Sequence, residues 1–144
     1  MPRRSRAREI VLQALYRVDL NPEGVDAQEI EQFMRGRLLD NEDLVAFALS
    51  LFNGVQRNRQ ELDELLSTHA ANWSLGRMAA TDRNVMRLGA FEILFTDTPG
   101  RVAINEAVEL ARRFGSAQSS QFVNGILDRF LKDGPDPAVP KTRE

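Results

Sequence analysis

Apolar residues recur along this chain at intervals of three and four, the spacing of one face of an α-helix. Ala7, Ile10, Val11, Ala14, Leu15 and Val18 form such a stripe and predict a first helix from about Ser5 to Val18. Ser5 is its expected N-cap, because a hydroxyl can accept from an unpaired backbone N–H. Arg3 and Arg4 would then precede the helix in a flexible arm. The run Asn21-Pro22-Glu23-Gly24 stops it. Asp26 followed by Glu29 resembles a capping box with aspartate in place of serine or threonine, and opens a short second helix with Ile30, Phe33 and Met34 inward. Asp40, Asn41, Glu42 and Asp43 suit the start of a third helix. Leu44, Phe47, Ala48, Leu51, Val55, Leu62, Leu65 and Leu66 carry it to about Ser67. Gly54 inside it costs about 1 kcal/mol relative to alanine, which marks a place for a kink.

The stretch from Asn72 to Gly76, with Trp73, reads as a joint between two halves. A fourth helix, about Thr81 to Phe95, is apolar almost all round and is expected at the centre of its bundle. Asp97-Thr98-Pro99-Gly100 breaks the chain. A fifth helix, Ile104 to Phe114, turns Ile104, Ala107, Val108, Ala111 and Phe114 inward and ends at Gly115 as its C′ residue. Ser119 or Ser120 caps a sixth, with Phe122, Val123, Ile126, Leu127 and Phe130 inward, and Gly125 offers room for close helix contact. No segment alternates apolar and polar residues for long, and no repeat of fixed period is visible. The expected fold is all-α, six to seven helices in two packed three-helix bundles. The chain, 1–144, reads as one domain with an N-terminal helical subdomain (1–68) and a C-terminal one (72–132). A tail, 133–144, carrying Pro135, Pro137 and Pro140 is expected to be disordered.

Composition narrows the function classes. The 144 residues are 42% hydrophobic and 28% charged, as in ordinary globular proteins. Cysteine is absent, so disulfides and thiolate metal sites are excluded, in keeping with a reducing, cytoplasmic setting. No apolar run approaches the roughly 20 residues that span a bilayer. The formal charge of −2 hides an asymmetry. Arg3, Arg4, Arg6, Arg8 and Arg17 face only Glu9 among the first 17 residues, so the acidic excess lies in the rest of the chain. A basic start on an acidic body suits an anionic partner, nucleic acid or anionic membrane.

Catalysis finds little support. The single histidine, His69, falls at a helix end. There is no cysteine nucleophile, no serine elbow, no spaced metal-ligand pair and no glycine-rich phosphate loop. No catalytic residue, metal or cofactor is expected. Glu92, Glu106 and Glu109 lie on helices, where acids commonly cap, pair or face water, and Glu109 with Arg113 has the spacing of a surface pair. The arginines are the strongest functional signal, since guanidinium forms bidentate bonds to phosphate and stacks on bases; a solvated terminus is the bland alternative. Tyr16 projects opposite the apolar stripe, on a face shared with Glu9 and Gln13, and is either covered by a loop or a partner anchor. Trp73 reads first as a packing anchor and second as a base-stacking residue.

Several stretches resemble the NusB transcription-antitermination family. They are Arg3-Arg4-Ser5-Arg6-Ala7-Arg8-Glu9 with Gln13-Ala14-Leu15-Tyr16, then Asp82-Arg83 through Met86-Arg87-Leu88 to Glu92. The strongest are Val102-Ala103-Ile104-Asn105-Glu106-Ala107-Val108-Glu109-Leu110-Ala111 and Phe122-Val123-Asn124-Gly125-Ile126-Leu127-Asp128. The resemblance covers residues 3–132. It implies a non-enzymatic factor that binds single-stranded boxA RNA of ribosomal RNA operon leaders together with NusE, a small-subunit ribosomal protein, within an RNA polymerase antitermination complex. It assigns RNA contact to Arg3, Arg4, Arg6 and Arg8, and more weakly to Gln118, Ser119 and Gln121. It assigns the NusE surface to Tyr16 and Asp82. Some members self-associate, which leaves a homodimer open. The loop 116–121 carries no charge here, whereas family members often have acids and a lysine there. The alternatives are an RNA-binding helper of a separate methyltransferase, a structural helical module, and a membrane-surface helix; the last is disfavoured because Glu9 interrupts the basic face.

Overall fold

A computed structural model describes residues 3–69 and 77–133. Among them are seven helices and no strand: α1 (Arg3–Asp19), α2 (Ala27–Arg37), α3 (Glu42–Arg57), α4 (Arg59–His69), α5 (Ala80–Phe95), α6 (Gly100–Phe114) and α7 (Ser119–Asp133). The expected joint with Trp73, and the tail beyond Asp133, lie outside the described residues. No described helix is long and apolar enough to cross a membrane. The chain divides into two compact units, Met1–Gly54 and Val55–Glu144.

In the first unit, α1 begins at Arg3, two residues before the expected cap. Arg3 and Arg4 are therefore helical, in keeping with arginine's good helix propensity. Ala7, Ile10, Val11, Ala14 and Leu15 are buried as their spacing requires. Asp26 caps α2 by accepting from the Gln28 N–H at 2.9 Å, and Ile30 and Met34 bury its inner face. The exit from α2 is unusual. Leu39 and Asp40 take φ of 55° and 57°, and the Asp40 N–H closes a six-residue loop onto the Arg35 carbonyl at 2.9 Å. Glycine normally occupies this left-handed position at a helix end. A leucine there costs roughly 1–2 kcal/mol, and Leu39 is 87% exposed, so burial does not compensate. Asn41 caps α3, its Oδ1 accepting from the Leu44 N–H at 3.0 Å.

The long third helix expected from periodicity is two helices. The interruption falls at Asn58, not at Gly54, and the Asn58 carbonyl accepts the first bond of α4 from Leu62 at 2.9 Å. Asn58 is buried and combines weak helix propensity with a side chain suited to capping.

In the second unit α5 packs against α4, α6 and α7, and every residue from Asn84 to Phe95 is buried. Gly89 permits this: a Cβ there would lie 2.7 Å from Leu127 Cδ1 and 3.3 Å from Ala107 Cβ. Gly125 has no such role, since a Cβ on it would meet nothing within 4 Å. The α4–α5 contact carries a buried fork. Arg87 Nε and Nη2 donate to Asp63 Oδ1 and Oδ2 at 2.7 and 2.9 Å, and Nη1 donates to Asn84 Oδ1 at 3.0 Å. Helix α6 starts four residues earlier than expected, directly after Pro99, whose carbonyl accepts from the Ala103 N–H. Proline suits a helix start, where its missing N–H costs nothing. At the other end Phe114 is exposed rather than inward. Gly115 is extended (φ −99°), not left-handed. It is needed for space: a Cβ would lie 2.5 Å from Ser119 Oγ and 2.8 Å from the Ala111 carbonyl. Glu109 pairs with Arg112 at 2.9 Å instead of Arg113, whose guanidinium lies 5.6 Å from the Phe114 ring centre.

Candidate nucleic-acid interface

The four arginines that open α1 do different work. Arg3 and Arg4 are exposed. The Arg4 guanidinium lies over the Phe47 ring at 4.3 Å from its centre, and Arg8, one turn on, lies over the same ring at 5.3 Å. A ring face attracts a cation, which holds both long side chains against α3. Arg8 is 5% exposed, so it supports this face rather than extending from it. Arg6 is part-exposed and donates from Nη1 to Glu9 Oε1 at 2.9 Å. Glu9 itself is buried, which corrects its expected place on the outer face with Tyr16. Tyr16 does face outward, 41% exposed. The basic start is thus a helical row of guanidiniums with a fixed register, not a flexible arm. Side chains already ordered lose less entropy on meeting a partner.

A cleft of about 560 Å³ adjoins this row, lined by Arg3, Arg6, Arg37, Leu38, Leu39, Asn41 and Leu44. Arg37, in the last turn of α2, sits 5.1 Å above the Phe33 ring. The sequence singled out neither Arg37 nor the cleft, because no local signal links residue 37 to residues 3 and 6.

The second unit holds the remaining predicted residues. Ser119 is buried; its Oγ accepts from the Ser116 N–H at 2.9 Å and closes the α6–α7 turn. It shapes the loop and does not present its hydroxyl to solvent. The Gln118 carbonyl accepts the first α7 bond from Phe122, and the side chains of Gln118 and Gln121 are exposed. Asp82 lies near the start of α5, and its Oδ1 is buried without a hydrogen-bond partner. Leaving a carboxylate oxygen buried and unpaired is unfavourable, which sets this end of α5 apart. A cavity of about 220 Å³ brings Asp82 together with Ser116, Gln118, Ser119 and Phe122, beside Arg77. The predicted partner acid and the predicted RNA loop therefore share one cavity; Gln121 does not line it.

His69 is engaged structurally. Its Nδ1 lies 2.9 Å from the Leu65 carbonyl, its Nε2 lies 3.5 Å from Asp133 Oδ2, and its ring meets Phe130 edge-on. Among the described residues no group of three or more His, Asp or Glu side chains is placed to hold a metal ion.

The profile of the NusB family matches residues 5–132. The transcription antitermination protein NusB of Anaeromyxobacter dehalogenans (strain 2CP-1) is 44% identical over 133 residues, covering 92% of this chain and 93% of that protein. The NusB of Myxococcus xanthus (strain DK1622) is 45% identical over 133 residues, covering 90% and 94%. Among solved structures, a T. maritima NusB superposes with a TM-score of 0.81 at 36% identity, covering 98% of this chain and 95% of that one. A chain from a crystal structure of the antitermination factors NusB and NusE in complex with double-stranded RNA superposes at 0.80 with 28% identity, covering 93% and 99%.

Proposed function

The chain belongs to the NusB family, and from that premise we propose that it is an antitermination factor that binds single-stranded boxA RNA of ribosomal RNA leaders with NusE. Together they would join the antitermination complex of RNA polymerase. The observation that carries the RNA half is the row of helix-held guanidiniums, exposed at Arg3 and Arg4 and part-exposed at Arg6. Guanidinium suits phosphate geometry, and single-stranded bases are free to be stacked and read. Arg8, buried over the same Phe47 ring as Arg4, adds positive charge behind the row, and Gln118 in the α6–α7 turn and Gln121 in the first turn of α7 add uncharged donors. The NusE half rests on Tyr16, an exposed aromatic, and on Asp82, whose Oδ1 has no hydrogen-bond partner. An outward aromatic is the kind of residue that anchors a protein interface, and Asp82 adds a negative charge near the start of α5. The activity is one of binding, with no turnover required.

A gel shift with a boxA-like RNA, with and without NusE, tests this. Wild-type protein should bind, and more tightly with NusE present. Replacing Arg3 and Arg4 together by alanine should weaken RNA binding and flatten the log–log salt slope by about 1.4, roughly 0.7 for each single-strand phosphate no longer neutralised. Unchanged affinity and slope in that double variant would refute the arginine row as the RNA site.

A further inference from the structure

Resting on that RNA reading, we propose that the α2–α3 turn is part of the RNA site. In it the cleft bounded by Arg3, Arg6 and Arg37 grips a backbone phosphate of a single strand, and Leu39 packs against the adjoining nucleotide. The cleft's size of about 560 Å³ lies within the roughly 300–1,000 Å³ typical of small-ligand sites, room enough for one nucleotide. Its lining holds three guanidiniums and no carboxylate, so an anion is the complementary occupant. Arg6 gives one of its five N–H donors to Glu9. The Arg37 guanidinium carbon lies 5.1 Å from the Phe33 ring centre, a cation–ring attraction that does not require its N–H donors.

Leu39 is the second, independent observation. A large apolar side chain, 87% exposed, stands on a left-handed residue where glycine would be unstrained. The turn's own bonds, Asp40 N–H to the Arg35 carbonyl and Asn41 N–H to the Leu38 carbonyl, need a left-handed residue here but not a leucine, and backbone conformations of this kind gather at binding sites. Leu38 is buried and Leu44 half-buried beside it, so the cleft joins an apolar floor to a cationic rim. That combination matches a nucleotide, which joins an apolar base face to a phosphate. A second copy of this chain fits less well, because a two-fold contact through this patch would set arginine against arginine. A lone leucine is also too little apolar surface to hold a membrane.

Fluorescence anisotropy of the full chain with an A/U-rich single-stranded 12-mer, across a salt titration, tests the proposal. Arg37→Ala should weaken binding about tenfold and flatten the salt slope by about 0.7. Leu39→Gly should leave the slope unchanged, weaken binding about fivefold, and raise Tm by about 3 °C as the strain is relieved. Arg112→Ala, removing an exposed arginine outside the cleft, should change affinity less than about twofold. Wild-type affinity in both Arg37→Ala and Leu39→Gly, with Arg4→Ala weakened, would overturn the cleft and leave the arginine row standing. Absence of any RNA binding by the wild type would overturn the RNA reading and the cleft together. Loss of self-association in Leu39→Gly, with RNA binding intact, would assign the turn to a second copy and overturn the proposal.

Discussion

The fork between Asp63 and Arg87 makes a quantitative prediction about how α5, the helix that carries Asp82, is held. Asp63→Asn keeps the size of the side chain and removes its charge. Arg87 in the wild type donates to both carboxylate oxygens, at 2.7 and 2.9 Å, from a side chain only 4% exposed. An amide can accept one of those bonds, but its NH2 group would face a guanidinium N–H, donor against donor. The guanidinium would keep Asn84 and lose its counter-charge. Breaking a fully buried pair costs about 3–5 kcal/mol. The Asp63 side chain is 30% exposed, so water recovers part of this and the expected loss is about 2–3 kcal/mol. For a chain of this size that lowers Tm by roughly 8 °C. Urea and thermal denaturation followed by circular dichroism measure it. Arg87→Met and the double variant Asp63→Asn/Arg87→Met complete the test, because replacing both partners removes the orphaned charge and should recover at least about 1 kcal/mol of the summed single losses. A loss below about 0.5 kcal/mol in Asp63→Asn, or a coupling energy near zero, would refute the fork as a structural clamp.

Three further outcomes follow from the geometry. Gly115→Ala should cost roughly 1–3 kcal/mol in urea denaturation, since its Cβ would meet Ser119 and the Ala111 carbonyl in a turn with no room for it. The Asp128 carboxyl is held below its ordinary value of 3.8, first by the hydrogen bond from Arg101 and then by Lys132. A depressed carboxyl adds stability above its unfolded value and loses it as pH falls through the folded one. Arg101→Ala should therefore destabilise at neutral pH and show a shallower loss of stability below about pH 4, read from urea midpoints across that range. Tyr16→Ala should weaken NusE binding about tenfold in a calorimetric titration and leave thermal stability nearly unchanged, as expected for an exposed aromatic anchor.

The helical framework was legible because helix formation is read out within a few residues. The stripe from Ala7 to Leu15, the Asp26 cap and the all-round apolar α5 each depend on neighbours one turn away, and the structure places them where the pattern does. Local rules were less decisive at boundaries. Helical arginines extended α1 back to Arg3, and the third helix broke at Asn58 rather than at the glycine at 54. The arginines themselves were visible as a charge cluster. Their division of labour was not, since it turns on Phe47 and Glu9, and the face that Glu9 takes is set by packing.

Periodicity, charge and motif sufficed for an all-helical chain, a basic first helix, an outward Tyr16 and family membership. Other facts emerged only on folding: which arginines stand in solvent, that Ser119 closes a turn, that Asp82 and Gln118 share a cavity, and that Arg37 joins Arg3 and Arg6 around a strained leucine. Apart from the Ser119 turn, these join residues far apart in the chain. Burial and electrostatics act through space, so until the chain has folded no local pattern records which distant side chains they will bring together.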